Sequence, residues 1–242
     1  MVPVEFRDVW YEIGGKPILR GLRMRLEAGE TLVLLGRSGS GKTTTLKLMN
    51  GMLFPTRGEV LVDGKSTTAW DPIRLKRRMG YVIQEVGLFP HFTVSENVGL
   101  IPKLEGWTEE KTRVHVAQLL TTIGLPEAEF SARYPRELPG GQRQRVGVAR
   151  ALAADPPVLL FDEPFGALDP VTRLDLQHEF LNLKRNFGKT AAFVTHDVRE
   201  AMRLGDRIAL LAEGRLDVLT TPIEFRKSQT VEAQLFLNCL ES

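Results

Sequence analysis

The sequence predicts an α/β protein: a mainly parallel sheet with helices on both faces, interrupted by a mostly helical insertion. Three observations carry this expectation. A continuously apolar run, Leu32 to Leu35, leads through a glycine-rich loop into a helical pattern that starts at Lys42. Continuous apolarity marks a strand covered on both faces. Beyond residue 155 helical and strand patterns alternate, which is how parallel strands joined by crossover helices read. Between the two, over residues 88–155, apolar residues recur at helical spacing.

Taken in order, residues 2–35 place apolar positions (Val4, Phe6, then Leu32 to Leu35) between the turn signals Gly14-Gly15 and Ala28-Gly29-Glu30, and read as strands. A helix of about ten residues follows from Lys42. Gly58 to Gly64 reads as a short hairpin strand and Met79 to Gln84 as a strand entering a loop. Thr93 with Glu96 forms a capping box. Thr108 can cap a helix that carries Val116, Leu119, Leu120 and Ile123 and stops at Gly124. The alternation then runs through a strand (Val158 to Phe161), a helix (Val171 to Phe187), a strand (Ala191 to Thr195), a helix (Asp197 to Leu204) and a hairpin turning at Glu213-Gly214. There is no internal repeat or low-complexity linker. The expected organisation is one domain over 1–242, with core segments 1–87 and 156–242 around the insertion 88–155.

Apolar residues make up 43% of the 242 and charged ones 26%, which excludes disorder and fibrous repeats. A net charge of +2 is nearly balanced, so an acidic ligand must be held by local geometry, and nucleic acid is not indicated. The basic run Arg74, Lys76, Arg77 and Arg78 has no interleaved aromatics and reads as solvated surface. Cys239 cannot form an internal disulfide, which suits a reducing compartment, and it reads as a buried thiol. No apolar run approaches the roughly 18 residues of a transmembrane helix, and the N-terminus has no basic head followed by an apolar stretch. The expected location is therefore the cytoplasm.

The stretch Gly36-Arg37-Ser38-Gly39-Ser40-Gly41-Lys42-Thr43 fits G-x-x-x-x-G-K-[ST] where the mechanism requires it, after a buried strand and opening a helix that continues with Thr44. Such a loop aims successive N–H groups at phosphate oxygens. Lys42 would neutralise the β- and γ-phosphates, and the Thr43 hydroxyl would ligate Mg²⁺. These residues specify a nucleoside triphosphate and leave GTPases, kinases and several ATPase classes open. Val158 to Phe161, followed by Asp162 and Glu163, adds a buried strand whose end presents Asp162 to a metal and Glu163 to a water at the γ-phosphate. His91, His115 and His178 lack comparable context and read as structural, and no spacing indicates zinc.

Leu138-Pro139-Gly140-Gly141-Gln142, followed by Arg143-Gln144-Arg145, resembles the signature LSGGQ of ATP-binding cassette (ABC) proteins. The resemblance continues through Gln84 (the Q-loop), Ala167-Leu168-Asp169 (the D-loop) and His196 (the switch histidine), in family order over nearly the whole chain. It implies a P-loop NTPase (RecA-like) core with an antiparallel β subdomain and a helical insertion bearing the signature. It also implies a head-to-tail pairing of two copies around two ATP molecules. In that arrangement Gly140 and Gly141 meet the γ-phosphate held by the other copy, Gln84 reaches toward Mg²⁺ and a membrane partner, His196 holds the γ-phosphate and the attacking water, and Asp169 links the two sites.

Two positions depart from the family pattern. Pro139 stands where serine is usual, which removes a hydroxyl and an N–H donor, although proline suits a helix start. Ile13 stands where an aromatic usually meets adenine; either Tyr11, two residues back, replaces it or aliphatic packing does.

The run Tyr81 to Val98 with Ile101 to Trp107 resembles importer cassettes for glycine betaine, choline and related osmoprotectants, and Asp162 to Pro170 is shared with other importers. This implies a polytopic permease as partner and, indirectly, a solute-binding protein, with the chain at the cytoplasmic face of a bacterial inner membrane. The group often carries a C-terminal pair of CBS domains; here the sequence reaches Ser242 with one short helix expected at Val231 to Leu240. Leu88, Phe89 and Phe92 read either as partner-facing or as the insertion's own core. An importer cassette for another small solute, such as an amino acid or sulfonate, is the alternative within the class. A non-transport ABC ATPase of repair or translation is the alternative outside it, and the coiled-coil inserts or second cassette usual there are missing from this sequence.

Overall fold

The computed structural model describes residues 2–84, 87–166 and 168–241. The elements run β1 (Val4–Ile13), β2 (Lys16–Leu26), β3 (Thr31–Leu35), α1 (Lys42–Met49), β4 (Arg57–Val62), β5 (Lys65–Ser66), α2 (Pro72–Arg77) and β6 (Met79–Val82). Next come α3 (Val94–Leu104), α4 (Glu109–Thr122), α5 (Glu127–Phe130), α6 (Gly140–Leu152), β7 (Val158–Asp162) and α7 (Pro170–Phe187). The remainder is β8 (Thr190–Thr195), α8 (Val198–Leu204), β9 (Arg207–Ala212), β10 (Arg215–Thr220), α9 (Pro222–Phe225) and α10 (Val231–Glu241). Two compact units divide the chain: Met1–Lys76 with Gly188–Ser242, and Arg77–Phe187.

In the first unit β3 pairs in parallel with both β8 and β9, and β10 returns antiparallel on β9. Every residue of β3 and β8 is buried, so the continuous apolarity of Leu32 to Leu35 does mark a strand covered on both faces. A separate antiparallel sheet has the order β2-β1-β4-β5. Along β1 the apolar residues Val4 and Phe6 are buried while Arg7 faces solvent, where it pairs with Glu5 and Glu59. Ion pairs this exposed contribute little to stability.

The C-terminal helix α10 packs on α8, and Arg199 Nη2 donates to the Cys239 carbonyl at 3.2 Å. Cys239 is exposed, contrary to the sequence expectation of a buried thiol. Ala233 marks the buried side of α10. Six residues further on, at 3.6 per turn, Cys239 lies about 120° around the helix from that side.

In the second unit β6 and β7 pair in parallel from Met79↔Val158 to Val82↔Phe161. The signature helix α6 packs on β6, α3 and α4. Thr93 and Glu96 form the expected capping box at the start of α3, and Thr108 accepts from the Lys111 N–H at the start of α4. Val116, Leu119, Leu120 and Ile123 are all buried, so the helical spacing identified the inward stripe of α4 correctly. Phe161 on β7 meets Phe180 on α7 edge-on at 5.0 Å between ring centres. Among the described residues no helix is long and apolar enough to cross a membrane.

Candidate functional site

The loop between β3 and α1 is built around close backbone approach. A Cβ on Gly36 would stand 2.4 Å from the Leu211 carbonyl oxygen and 2.6 Å from Ser40 Oγ, so no side chain fits there. Gly41, the N-cap of α1, has φ 100°, a region costly for residues with a Cβ. Among the described residues no side chain caps α1, which leaves its N-terminal dipole facing the loop. Lys42 is buried, and its ammonium donates to the carbonyls of Gly36 at 2.7 Å and Arg37 at 2.8 Å. Ser40 Oγ is buried without a hydrogen-bond partner among the described residues. Arg37, Ser38 and Gly39 are exposed, while Thr43 and Thr44 are half-buried. A closed backbone, an uncapped helix start, a buried ammonium and an orphan hydroxyl together suit a polyphosphate.

Elsewhere in the first unit, His196 is exposed just beyond β8. The turn that carries it is fixed by Thr195, whose hydroxyl bonds Glu200 and accepts from the Asp197 N–H, and by Asp197, which caps α8. On β1, Tyr11 is half-buried and Ile13 is 58% exposed, with a register shift in the ladder to β2 after Tyr11.

In the second unit β7 ends at Asp162, which is 7% exposed and accepts from the Tyr81 hydroxyl at 3.1 Å. Burial first, then the negative charge and hydrogen bond of Asp162, push the Tyr81 phenol well above its ordinary range, so it remains a donor. The next residue, Glu163, has φ 46°, uncommon for a residue with a Cβ; the chain leaves the strand there, and the Gly166 N–H donates to the Glu163 carbonyl. Gln84 is exposed just beyond β6. No motif in the sequence marks Tyr81 as a site residue. Its pairing to Asp162 follows from the β6–β7 register, in which Tyr81 lies opposite Leu160.

The signature segment is in the same unit. Leu138 is buried, Pro139 is the N-cap of α6 with φ −55° and no side-chain cap, and Gly140 is exposed. Gly141 lies so close to Thr172 of α7 that a Cβ would meet the Thr172 methyl at 2.5 Å. Gln142 Oε1 is buried without a hydrogen-bond partner among the described residues. Asp169 is exposed and caps α7, accepting from the N–H groups of Val171 and Thr172. The Thr172 hydroxyl, followed by these N–H groups, holds its carboxyl below the usual range. Leu168 is half-buried, and Ala167 lies outside the described residues.

A family model described as ABC transporter matches residues 19–166, more than half of the chain. The chain belongs to the ABC transporter family. This ABC protein is 48% identical over 215 residues to the carnitine transport ATP-binding protein of Listeria monocytogenes serotype 1/2a (strain 10403S), covering 89% of this chain and 54% of that protein. It is 47% identical over 219 residues to the glycine betaine/carnitine/choline transport ATP-binding protein of Bacillus subtilis (strain 168), covering 90% of this chain and 57% of that protein. It thus spans just over half the length of these two relatives. A solved dimeric, post-hydrolysis ATP-binding cassette bound to ADP and Pi superposes with a TM-score of 0.80 at 33% identity, covering 90% of this chain and 98% of that one. The resemblance to osmoprotectant cassettes and the expected mixed α/β fold of the ABC family both hold.

Proposed function

We propose that this chain binds and hydrolyses ATP to power an ABC importer of osmoprotectants such as glycine betaine or choline, as one cassette with residues 88–155 forming its helical subdomain. The observation that carries the reading is the loop 36–43, closed to side chains at Gly36 and opening a helix that no side chain among the described residues caps. The names of the relatives supply the transport class.

In this reading Lys42 and the N–H groups of 39–44 bind the phosphates of ATP, and Ile13 with Tyr11 packs on the base. Thr43, Gln84 and Asp162 are oxygen donors of the kind Mg²⁺ takes alongside phosphates, and the ion would neutralise charge on the β- and γ-oxygens. Glu163 accepts a proton from the water that attacks the γ-phosphorus, His196 orients that water, and ADP and phosphate leave. A second copy supplies Leu138 to Gln142, with Gly140 and Gly141 donating to the γ-phosphate. Asp169 links the two sites.

The membrane partner is a polytopic permease, with a solute-binding protein acting through it, and the subunit sits peripherally on the cytoplasmic face of the inner membrane. Phe89, 41% exposed and clustered with His91 and Phe92, offers an apolar contact beside the Q-loop. The test is co-expression with the candidate permease. Saturable ATP hydrolysis by the purified chain, with membrane retention lost on Phe89→Glu while ATPase persists, supports the reading. A chain that neither binds ATP nor co-purifies with a polytopic membrane protein overturns it.

A further inference from the structure

The phosphate loop has a charge tie to the last helix. Arg37, its second residue, donates from Nε to Glu232 Oε1 at 2.7 Å, across 195 positions of sequence. Glu232 lies in the first turn of α10, and its side chain is 22% exposed against 63% for Arg37. The start of α10 is anchored independently of this pair. The Thr230 hydroxyl donates to Asp217 on β10 at 2.6 Å and accepts from the Ala233 N–H, and Gln234 Nε2 donates to the Ser228 carbonyl. The carboxylate is therefore held at the loop by the fold, and an ion pair so open to solvent adds little to stability.

Its consequence is electrostatic. The loop 36–43 contains two cationic side chains, Arg37 and Lys42. Lys42 is buried against the Gly36 and Arg37 carbonyls, which leaves the Arg37 guanidinium as the loop's exposed positive charge. Glu232 neutralises that guanidinium and so withdraws its positive charge from a site suited to a polyanion. We propose that Glu232 is an affinity-setting residue of the nucleotide site: through Arg37 the C-terminal helix weakens the loop's hold on phosphates, so that displacement of α10 tightens nucleotide binding. This rests on the reading of 36–43 as the ATP loop.

The test compares ATP, ADP and AMP affinities by titration calorimetry for the wild-type chain, Glu232→Gln, Glu232→Asp, Arg37→Gln and the double variant Arg37→Gln/Glu232→Gln, with thermal midpoints to verify folding. Glu232→Gln should bind ATP roughly three- to tenfold more tightly at low salt. The gain should be smaller for ADP, smallest for AMP, and should fade at high salt, an ordering by ligand charge that simple repacking would not produce. Glu232→Asp should restore wild-type affinity, and in the Arg37→Gln background the gain should shrink. Should the glutamine variant fail to fold, Glu232→Ala repeats the comparison. Unchanged or weaker ATP binding on loss of the carboxylate, or an equal gain for ATP and AMP, overturns the proposal. Failure of the wild-type chain to bind any nucleotide overturns the loop reading itself, and the tie with it.

Discussion

The Tyr81 hydroxyl donates to the Asp162 carboxylate at 3.1 Å, joining adjacent parallel strands at the point where the chain turns into Glu163. Asp162 is almost wholly buried, and the raised phenol keeps the proton on oxygen. Removing one partner of a buried group costs about 1 to 3 kcal/mol. Tyr81→Phe should therefore lower stability by that order in urea unfolding and raise the Mg²⁺ concentration needed for half-maximal ATPase. An unchanged Mg²⁺ dependence would show that the phenol does not help aim the carboxylate.

Lys42 and Glu163 have separable jobs in the proposed mechanism. Lys42→Ala should abolish measurable ATP binding. Glu163→Gln should bind ATP yet hydrolyse it roughly 10² to 10⁴ times more slowly, the weight of a general base. With its turnover blocked, Glu163→Gln should elute as a dimer with ATP on size-exclusion chromatography. A monomer under those conditions counts against the paired arrangement.

Pro139 occupies the N-cap of α6, the place where a serine hydroxyl would accept from the N–H groups of the first turn. Pro139→Ser should stabilise the helix start by about 0.5 to 1 kcal/mol. It should also tighten the ATP-bound dimer in the Glu163→Gln background by roughly a hundredfold or more, because each of the two sites gains a charge-assisted hydrogen bond of about 1.5 to 3 kcal/mol. Sedimentation of the two variants decides. Equal or weaker association with serine would mean that proline's rigidity matters more to docking than the missing hydroxyl.

Asp169 caps α7 as a carboxylate, and its partners lower its pKa from the ordinary 3.8. A depressed folded-state pKa adds stability that is fully present above the unfolded value and is lost as pH falls through the folded one. Denaturant unfolding between about pH 5 and about pH 2.5 should show wild type losing stability more steeply than Asp169→Asn. Parallel curves would indicate that the cap does not depend on the charge.

The sequence by itself determined the features whose causes are local. The apolar run before Gly36, the capping box of Thr93 and Glu96, the Thr108 cap and the inward stripe of α4 depend on residues a few positions apart, and their patterns repeat with the period of the element they form. Only the tertiary structure decided relationships set by distant packing. Tyr81 meets Asp162 because β6 and β7 pair in one particular register. Arg37 meets Glu232 because α10 returns to the phosphate loop, and Cys239 faces solvent because of the side α10 turns inward. Pro139 stands at the start of α6 as its N-cap, and the tertiary structure brings Gly141 two positions on against Thr172 of α7. Each of these depends on which surface meets which, and side-chain periodicity along one segment carries no information about the segment it will pack against.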